Sequence, residues 1–555
     1  MFGPGEECRR GDFESSRRGG VTKPGPKITR DVEAICSRTL VCAACVAANA
    51  RLRRRSIPLP EEGCLVLSTL LAAVLSLLVQ ADGAPPASPQ GGPPGPPPGP
   101  PPRPRGLAVK EPRALPGLTM IAPLQNNVVR LVDLDGKVVH EWKTDARGGS
   151  EYFLEDGSLL RSTGTGNAPR LARFNAGGKQ GRLQRIAWDG TILWDWKFAT
   201  EEHVQHHDLQ LTPDETILFI AWEHKTRAEA IAAGRHPAYV GKEGMWACCV
   251  HEVEPVGADG AEFIWEWHSW DHLIQDIDPD AANYGDVAAH PERIDINADL
   301  RRAPPSAADV ADLQKLGYID ATPTAGERSA DWLHVNAIFH DAEHDQIVLS
   351  SPHLCEVLIL DHSTTSDEAV GSSGGQRGKG GDLLWRWGNP RNYGAGGVSD
   401  QQLFYQHNAR IIPRGHPGAG RLLIYNNGGN RPDGSNFSEV YELELPRNAD
   451  GSLRLEPFAA PEPAQPAWRY AAPNKSDFFS SFISGAQRLS NGSTLVCEGV
   501  NGRVFEVLAD GTMVWEYLHP FTDAAPGDGP PAPPTALFRA TRIPADHPGL
   551  KGRLQ

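Results

Sequence analysis

The sequence has few of the features that indicate a nucleic-acid-binding protein or a cysteine-rich metal site. Its formal net charge is -15, and a group of basic residues precedes Pro58, so the remainder is more acidic still. Such a surface repels the phosphate backbone, so we expect no nucleic-acid partner. The nine cysteines lack the spacing of a zinc site, apart from an isolated Cys42-x-x-Cys45 in the basic leader. A disulfide or buried thiols remain alternatives for the cysteines after Cys64.

Long hydrophobic runs are also scarce, and the one that stands out is residues 64–79, CLVLSTLLAAVLSLLV. It follows a basic cluster and leads into small residues, which is the layout of a signal peptide. A membrane-spanning helix needs about 20 apolar residues, which favours a cleaved signal over an anchor. We therefore expect a basic leader (1–63), either an over-extended gene start or a long leader, and a signal peptide or signal anchor (64–84). The protein would be periplasmic or extracellular, with membrane contact only if the 64–79 segment is retained.

Residues 85–105 are dominated by proline and glycine, a composition that favours extended chain and predicts a linker. From residue 106 to 555 one pattern recurs: a short β-type run, a turn, and apolar residues that end in aromatics. The copies are RLVDLDGKVVHEW (130–142), QRIAWDGTILWDW (184–196), EPVGADGAEFIWEW (254–267), GGDLLWRW (380–387), PAWRY (466–470) and FEVLADGTMVWEY (505–517). We expect the aromatics to wedge between neighbouring sheets.

A second recurrent hairpin lies between these copies, for example HDLQLTPDETILFI and AQRLSNGSTLVCEG. Two hairpins make one four-stranded sheet, and six similar sheets arranged radially make a propeller without long exposed edges. We therefore predict an all-β fold, a six-bladed β-propeller over residues 106–555. Roughly 75 residues per blade exceed the usual 40 to 50, so residues 223–247 and 272–330 are predicted to be insertions on one face.

Histidines occupy one position in several of these second hairpins. Aligned on their turns, the hairpins place His207, His334 and His407 in register. Equivalent positions of a propeller form a ring around its axis, so these three side chains should converge on one pocket. The alternative is that each histidine only caps a strand. Alternation along a strand would point His206 and His207 in opposite directions unless a bulge intervenes.

Two chemistries suit a ring of imidazoles. Neutral imidazoles could bind Zn, Cu or Fe with an open position for substrate. Alternatively, one imidazole could act as a nucleophile while the others hydrogen-bond an anionic group. Sequence spacing does not decide between them.

Several motifs around these histidines resemble those of the bacterial aryl-sulfate sulfotransferase (arylsulfotransferase) family. They are His206-His207-Asp208, Asp331-Trp332-x-His334-x-Asn336, Gln406-His407-Asn408, Tyr425-Asn426-Asn427-Gly428 and the stretch from Ser484 to Gly492. The resemblance implies transfer of a sulfuryl group from a phenolic sulfate ester to a phenol, without a nucleotide sulfate donor. The expected partners are thus a small aryl sulfate and a phenolic acceptor, with a homodimer as an open alternative, and no cofactor or metal is expected.

The same resemblance assigns roles to the histidines. His407 would take the sulfuryl group covalently as a sulfohistidine, while His334 and His207, or His206, would bind sulfate oxygens or move the phenolic proton. Asn336 would orient His334.

One departure from the family pattern concerns the arginine that clamps the sulfate. The chain has Pro352 where the family has that arginine, in Ser350-Ser351-Pro352-His353. His353 remains, and Arg431 is a candidate to approach from the next blade. The departure keeps two alternatives open: a metal-dependent propeller enzyme and a non-catalytic propeller that binds a ligand.

Overall fold

The computed structural model describes residues 103–165, 176–301, 330–525 and 532–554. The predicted leader and signal, and almost all of the predicted linker, lie outside these ranges. The strands are β1 (Gly106–Lys110), β2 (Gly117–Pro123), β3 (Val128–Val132), β4 (Val138–Lys143), β5 (Gly148–Phe153), β6 (Leu159–Gly164), β7 (Gly181–Ile186), β8 (Ile192–Lys197), β9 (His203–Leu211), β10 (Ile217–Lys225), β11 (Met245–Val256), β12 (Gly260–His268), β13 (Leu273–Ile274), β14 (Ile294–Asp295), β15 (Ala337–Asp341), β16 (Gln346–Ser351), β17 (Glu356–Asp361), β18 (Trp385–Trp387), β19 (His407–Ile411), β20 (Leu422–Asn426), β21 (Glu439–Leu443), β22 (Trp468–Tyr470), β23 (Gly485–Arg488), β24 (Thr494–Glu498), β25 (Arg503–Val507), β26 (Met513–Leu518) and β27 (Leu537–Pro544). The short α-helices within these ranges are α1 (Arg227–Ala232) and α2 (Ser366–Ala369).

The strands form six antiparallel blades, as the repeat pattern predicts. In the order inside to outside, blade 1 is β27-β2-β3-β4, blade 2 is β5-β6-β7-β8, blade 3 is β9-β10-β11-β12, blade 4 is β15-β16-β17-β18, blade 5 is β19-β20-β21-β22, and blade 6 is β23-β24-β25-β26-β1. The six innermost strands surround the central channel. The fold is therefore an all-β, six-bladed propeller.

Both ends of the described chain take part in closing the ring. The C-terminal β27 pairs with β2 and becomes the innermost strand of blade 1. The N-terminal β1 pairs with β26 and adds a fifth, outermost strand to blade 6. Blades 1 and 6 are thus each completed by strands from distant parts of the sequence, which leaves no gap in the ring.

Tryptophans on the outer strands join neighbouring blades. The indole N–H of Trp142 in blade 1 donates to the Ala187 carbonyl of blade 2 at 3.0 Å. Trp515 in blade 6 donates to the Leu134 carbonyl of blade 1, also at 3.0 Å. Both side chains are buried. Each indole therefore packs between two sheets and gives the next blade's turn a hydrogen-bond donor.

The innermost strands β9, β15 and β19 all begin at one end of the channel, which we call the front face, and end at the other, the rear face. The two predicted insertions connect β10 to β11 and β12 to β15 at the front face. The second insertion contains the parallel pair β13 and β14. No helix in the described ranges is long and apolar enough to cross a membrane.

Candidate functional site

A bulge in β9 brings His206 and His207 to the same place. Phe219 on β10 pairs with Leu209, but Ala221 pairs with Gln205, so three residues of β9 lie opposite one residue of β10. His207 takes a left-handed φ of 48°. The two Nδ1 atoms of the histidines are 2.8 Å apart. Strand alternation alone would point His206 and His207 in opposite directions, and the bulge in β9 removes this restriction.

A glycine makes room for the His207 ring. The backbone N–H of His207 donates to the Gly178 carbonyl at 2.7 Å. A Cβ placed on Gly178 would lie 2.1 Å from the imidazole of His207, and the φ of Gly178 is 82°. A side chain at position 178 would therefore displace the imidazole.

His334 joins His207 from blade 4. The ring centroids of His207 and His334 are 4.6 Å apart. The Nδ1 of His334 bonds the Asp331 carboxylate, and the ring of His353 stacks on His334 with centroids 4.8 Å apart. Although burial raises the pKa of Asp331, His334 and its other imidazole neighbours bring it below its usual value. Asp331 is therefore an anion held against Nδ1 of His334.

Hydrogen bonds fix the tautomer of His407. Asn427 uses its amide nitrogen to donate to the carbonyls of Ser480 and Ile483, at 2.8 and 2.9 Å. Its oxygen, 2.7 Å from His407 Nδ1, must then accept a hydrogen bond. Nδ1 consequently carries the proton, and Nε2 presents its lone pair, which accepts the Ile483 N–H at 3.1 Å.

The backbone that meets Nε2 is strained. Ile483 and Ser484 have φ values of 51° and 97°, although neither is a glycine. Non-glycine residues with a positive φ are uncommon, and they cluster at functional sites.

Burial keeps His206, His207 and His407 neutral at neutral pH. Burial lowers the pKa of His206 to about 3, and it lowers the pKa of His407 to about 3 as well. The pKa of His207 falls well below its usual value because of burial and then because of the neighbouring His334, His206 and His407. The influence of His407 on His207 indicates that all four imidazoles share one environment.

A second layer of polar residues lines the channel beside the histidines. Arg539, on β27 of blade 1, donates to both oxygens of Asp208 on blade 3, at 3.1 and 2.8 Å. It also donates to the Tyr152 hydroxyl of blade 2. Arg410 extends from blade 5, and Tyr152, Arg539 and Asp208 all influence its pKa, which burial lowers. Four blades thus contribute to one buried network with two guanidinium groups.

The other predicted site residues make different contacts. Asn336 donates to the Gln406 carbonyl at 2.9 Å and links blade 4 to blade 5, while Asp331 holds His334. Arg431 pairs with Glu439 at 2.8 Å and lines a cavity of about 360 Å³. Its contacts in the described chain do not join it to the histidines. The structure therefore brings together His206, His207, His334, His353 and His407.

One group within this cluster also has the donor set of a metal site. The potential ligand atoms of Asp331, His334 and His353 lie within 4.8 Å of one another. Two imidazoles and a carboxylate suit Zn or Fe.

Sequence reasoning did not assign roles to Asp331, Asn427, Asp208, Arg410 or Arg539. Asp331 and Asn427 belong to the motifs quoted from the sequence, so those motifs could have identified them as site residues. The Arg539–Asp208 pair spans 331 residues and leaves no spacing signal.

Comparison with known proteins gives one family. Residues 113–511 match the family model described as Arylsulfotransferase (ASST). A search of curated proteins finds no match. Similar solved structures include a protein of unknown function from Bacteroides caccae, with 12% identity, 72% of this chain and 93% of that chain covered, and a TM-score of 0.35. Another is virginiamycin B lyase from Staphylococcus aureus, with 10% identity, 74% of this chain and 83% of that chain covered, and a TM-score of 0.31.

Proposed function

The chain belongs to the arylsulfotransferase family, and on this premise we propose that it moves a sulfuryl group from a phenolic sulfate ester to a phenol. The proposed reaction passes through a sulfohistidine and needs no nucleotide sulfate donor. The observation that carries the proposal is the tautomer of His407. A neutral, buried imidazole with its proton on Nδ1 and a lone pair on Nε2 has the form that a nucleophile requires.

In the first half-reaction, Nε2 of His407 attacks the sulfur of the donor. The N–S bond forms while the bond from sulfur to the phenolic oxygen breaks, and the phenolate leaves. In the second half-reaction the acceptor phenol loses its proton, its oxygen attacks the sulfur, and the N–S bond breaks. The sulfuryl group has then changed phenols, and His407 is restored.

His334 is the proposed proton carrier for both steps. Its Nδ1 is held by the Asp331 carboxylate, which stabilises the imidazolium form. His334 can therefore protonate the leaving phenolate and accept the proton of the incoming phenol. His207, which stays neutral, is proposed to hydrogen-bond a sulfuryl oxygen.

Positive charge for the sulfate group comes from the channel in this proposal, because Pro352 supplies none. Arg539 is held by Asp208 and Tyr152. In the described ranges Arg410 forms no ion pair, and its guanidinium lies near the ring of Phe339, 5.5 Å from the centroid. Arg410 is thus the guanidinium most available to an anion. When the substrate displaces the Ile483 N–H from Nε2, that N–H can donate to a sulfuryl oxygen.

The test uses p-nitrophenyl sulfate as donor and phenol as acceptor. Release of nitrophenolate should follow ping-pong kinetics, and brief exposure to the donor should add the mass of one sulfuryl group to His407. His407→Ala should abolish turnover, whereas His416→Ala, a change in the β19–β20 connection, should leave it unchanged. Unaltered turnover in His407→Ala would exclude the mechanism. Absence of turnover in the native protein would favour a propeller that only binds a ligand.

A metal-dependent enzyme is the second candidate, and the Asp331, His334 and His353 group favours it. Elemental analysis of purified protein, combined with activity before and after chelation, distinguishes the two candidates. One metal ion per chain, with activity lost on chelation and restored by metal, would support the second; activity that survives chelation would support the first.

We also propose that the protein is exported. The support is the apolar run at residues 64–79 and the basic cluster before it. N-terminal sequencing of protein recovered outside the cytoplasm should begin after this run. A start before residue 64 would contradict cleavage.

A further inference from the structure

The rear face of the propeller carries a second group of histidines, which the proposed reaction does not use. His340 lies at the end of β15, and Asp345 lies in the turn that leads to β16. His362 follows the end of β17 directly. Blade 4 thus brings two imidazoles and a carboxylate together at the end of the channel opposite to His407.

Both imidazoles contact the same oxygen of Asp345. Asp345 Oδ1 lies 3.1 Å from His340 Nε2 and 2.7 Å from His362 Nδ1. All three ligand atoms lie within 4.8 Å of one another. In a tetrahedral zinc site, bonds of about 2.0 to 2.1 Å separate neighbouring ligand atoms by about 3.3 Å. To admit an ion, the two observed separations would need to widen by about 0.2 Å and about 0.6 Å.

The backbone holds the carboxylate in this position. Asp345 has a left-handed φ of 49°, and the N–H of His362 donates to its carbonyl at 3.0 Å. Aspartate is among the few non-glycine residues that adopt this conformation readily, and here the turn between β15 and β16 keeps it there.

A carboxylate from blade 3 supports the site from behind. The Nε2 of His362 lies 2.9 Å from Glu252 Oε2, and Glu252 accepts the hydroxyl of Thr216. Imidazoles that bind metals usually donate their other N–H to a carboxylate in this way, which fixes the ring and raises its basicity. The His340 side chain is only 8% exposed and that of Asp345 is 39% exposed, so solvent reaches the centre from the Asp345 side.

We propose that His340, Asp345 and His362 bind a divalent first-row transition metal ion of the Zn²⁺ class. Glu252 orients His362 in this site, and water takes the remaining coordination position. Binding displaces the protons that now lie between Asp345 and the two imidazoles, so it releases protons. The proposal does not depend on sulfotransfer or on the histidines of the front face.

The test is titration of the full chain with Zn²⁺ and Co²⁺ after removal of metal with a chelator. The native protein should bind one ion at this site, and Co²⁺ should show the visible absorption of a four-coordinate nitrogen and oxygen site. Glu252→Gln should weaken binding by about 10- to 100-fold. Asp345→Asn and His362→Ala should weaken it at least as much, because each removes a ligand.

His353→Ala is the matched control, because it removes a ligand from the other potential metal group. It should leave the rear-face site intact. The proposal is overturned if the native protein binds neither ion, if Asp345→Asn binds as well as the native protein, or if binding is lost in His353→Ala alone. Asp345→Asn changes one partly exposed oxygen to nitrogen, so it decides the question even if His362→Ala fails to fold.

Discussion

Acidification should destabilise the propeller through His206 and His407. These residues are 0% and 2% exposed, and burial lowers the pKa of each to about 3. In the unfolded chain an imidazole takes up a proton around pH 6.5. The unfolded state therefore binds more protons than the native state between pH 6.5 and 3, so the contribution is fully present above pH 6.5 and falls as the pH drops through this window.

The size of the effect follows from the two pKa values. Between pH 7 and pH 5, an imidazole with pKa 6.5 unfolded and about 3 folded removes about 2 kcal/mol from the free energy of unfolding. The two histidines together remove about 4 kcal/mol, which is a large part of the 5–15 kcal/mol typical of folded proteins.

Urea denaturation at pH 7, 6 and 5 measures this loss in the native protein and in variants. His206→Gln and His407→Gln should each reduce the difference between pH 7 and pH 5 by about 2 kcal/mol. The control His290→Gln changes a side chain that is 53% exposed and should leave the difference unchanged. If the difference is the same in the native protein and in both variants, these two imidazoles are not held neutral by burial.

Two further substitutions test packing at the site and between blades. Gly178→Ala should abolish turnover, because the new Cβ displaces the His207 ring, whereas the new Cβ of Gly190→Ala meets no atom within 4 Å. Both glycines have a positive φ, so each substitution should lower the free energy of unfolding by about 1–2 kcal/mol. An assay with p-nitrophenyl sulfate should therefore show loss of turnover only in Gly178→Ala. Trp515→Phe leaves the Leu134 carbonyl without the donor described above, so urea denaturation should show a loss of about 1–3 kcal/mol. Equal activity of the two glycine variants, or an unchanged denaturation midpoint for Trp515→Phe, would contradict these accounts.

The repeated hairpins made the fold predictable, because each blade is local in sequence and its turns and aromatics recur. Register alone brought His207, His334 and His407 to one end of the channel. The alignment of the hairpins could not predict where the side chain of His206 points, because that depends on a bulge in β9. It also could not give the partner of Asp208, because Arg539 reaches it across the channel from the last strand of the chain.

The family pattern also misdirected attention. With Pro352 in place of an arginine, Arg431 was expected to approach from the next blade, yet it pairs with Glu439 and lines a cavity that none of the histidines lines. The channel offers Arg410, which extends from the same strand as His407. In the proposed mechanism Arg410 therefore supplies the charge that Pro352 lacks.

Closure by β27 has a consequence for the order in which the protein becomes active. The strand that completes blade 1 also carries Arg539, so a nascent or truncated chain that ends before residue 537 is an open arc with an unpaired edge on β2. Asp208 then has no guanidinium opposite it. Pairing of β27 therefore closes the ring and places Arg539 opposite Asp208 in one step, so the proposed chemistry should require β27 to be in place.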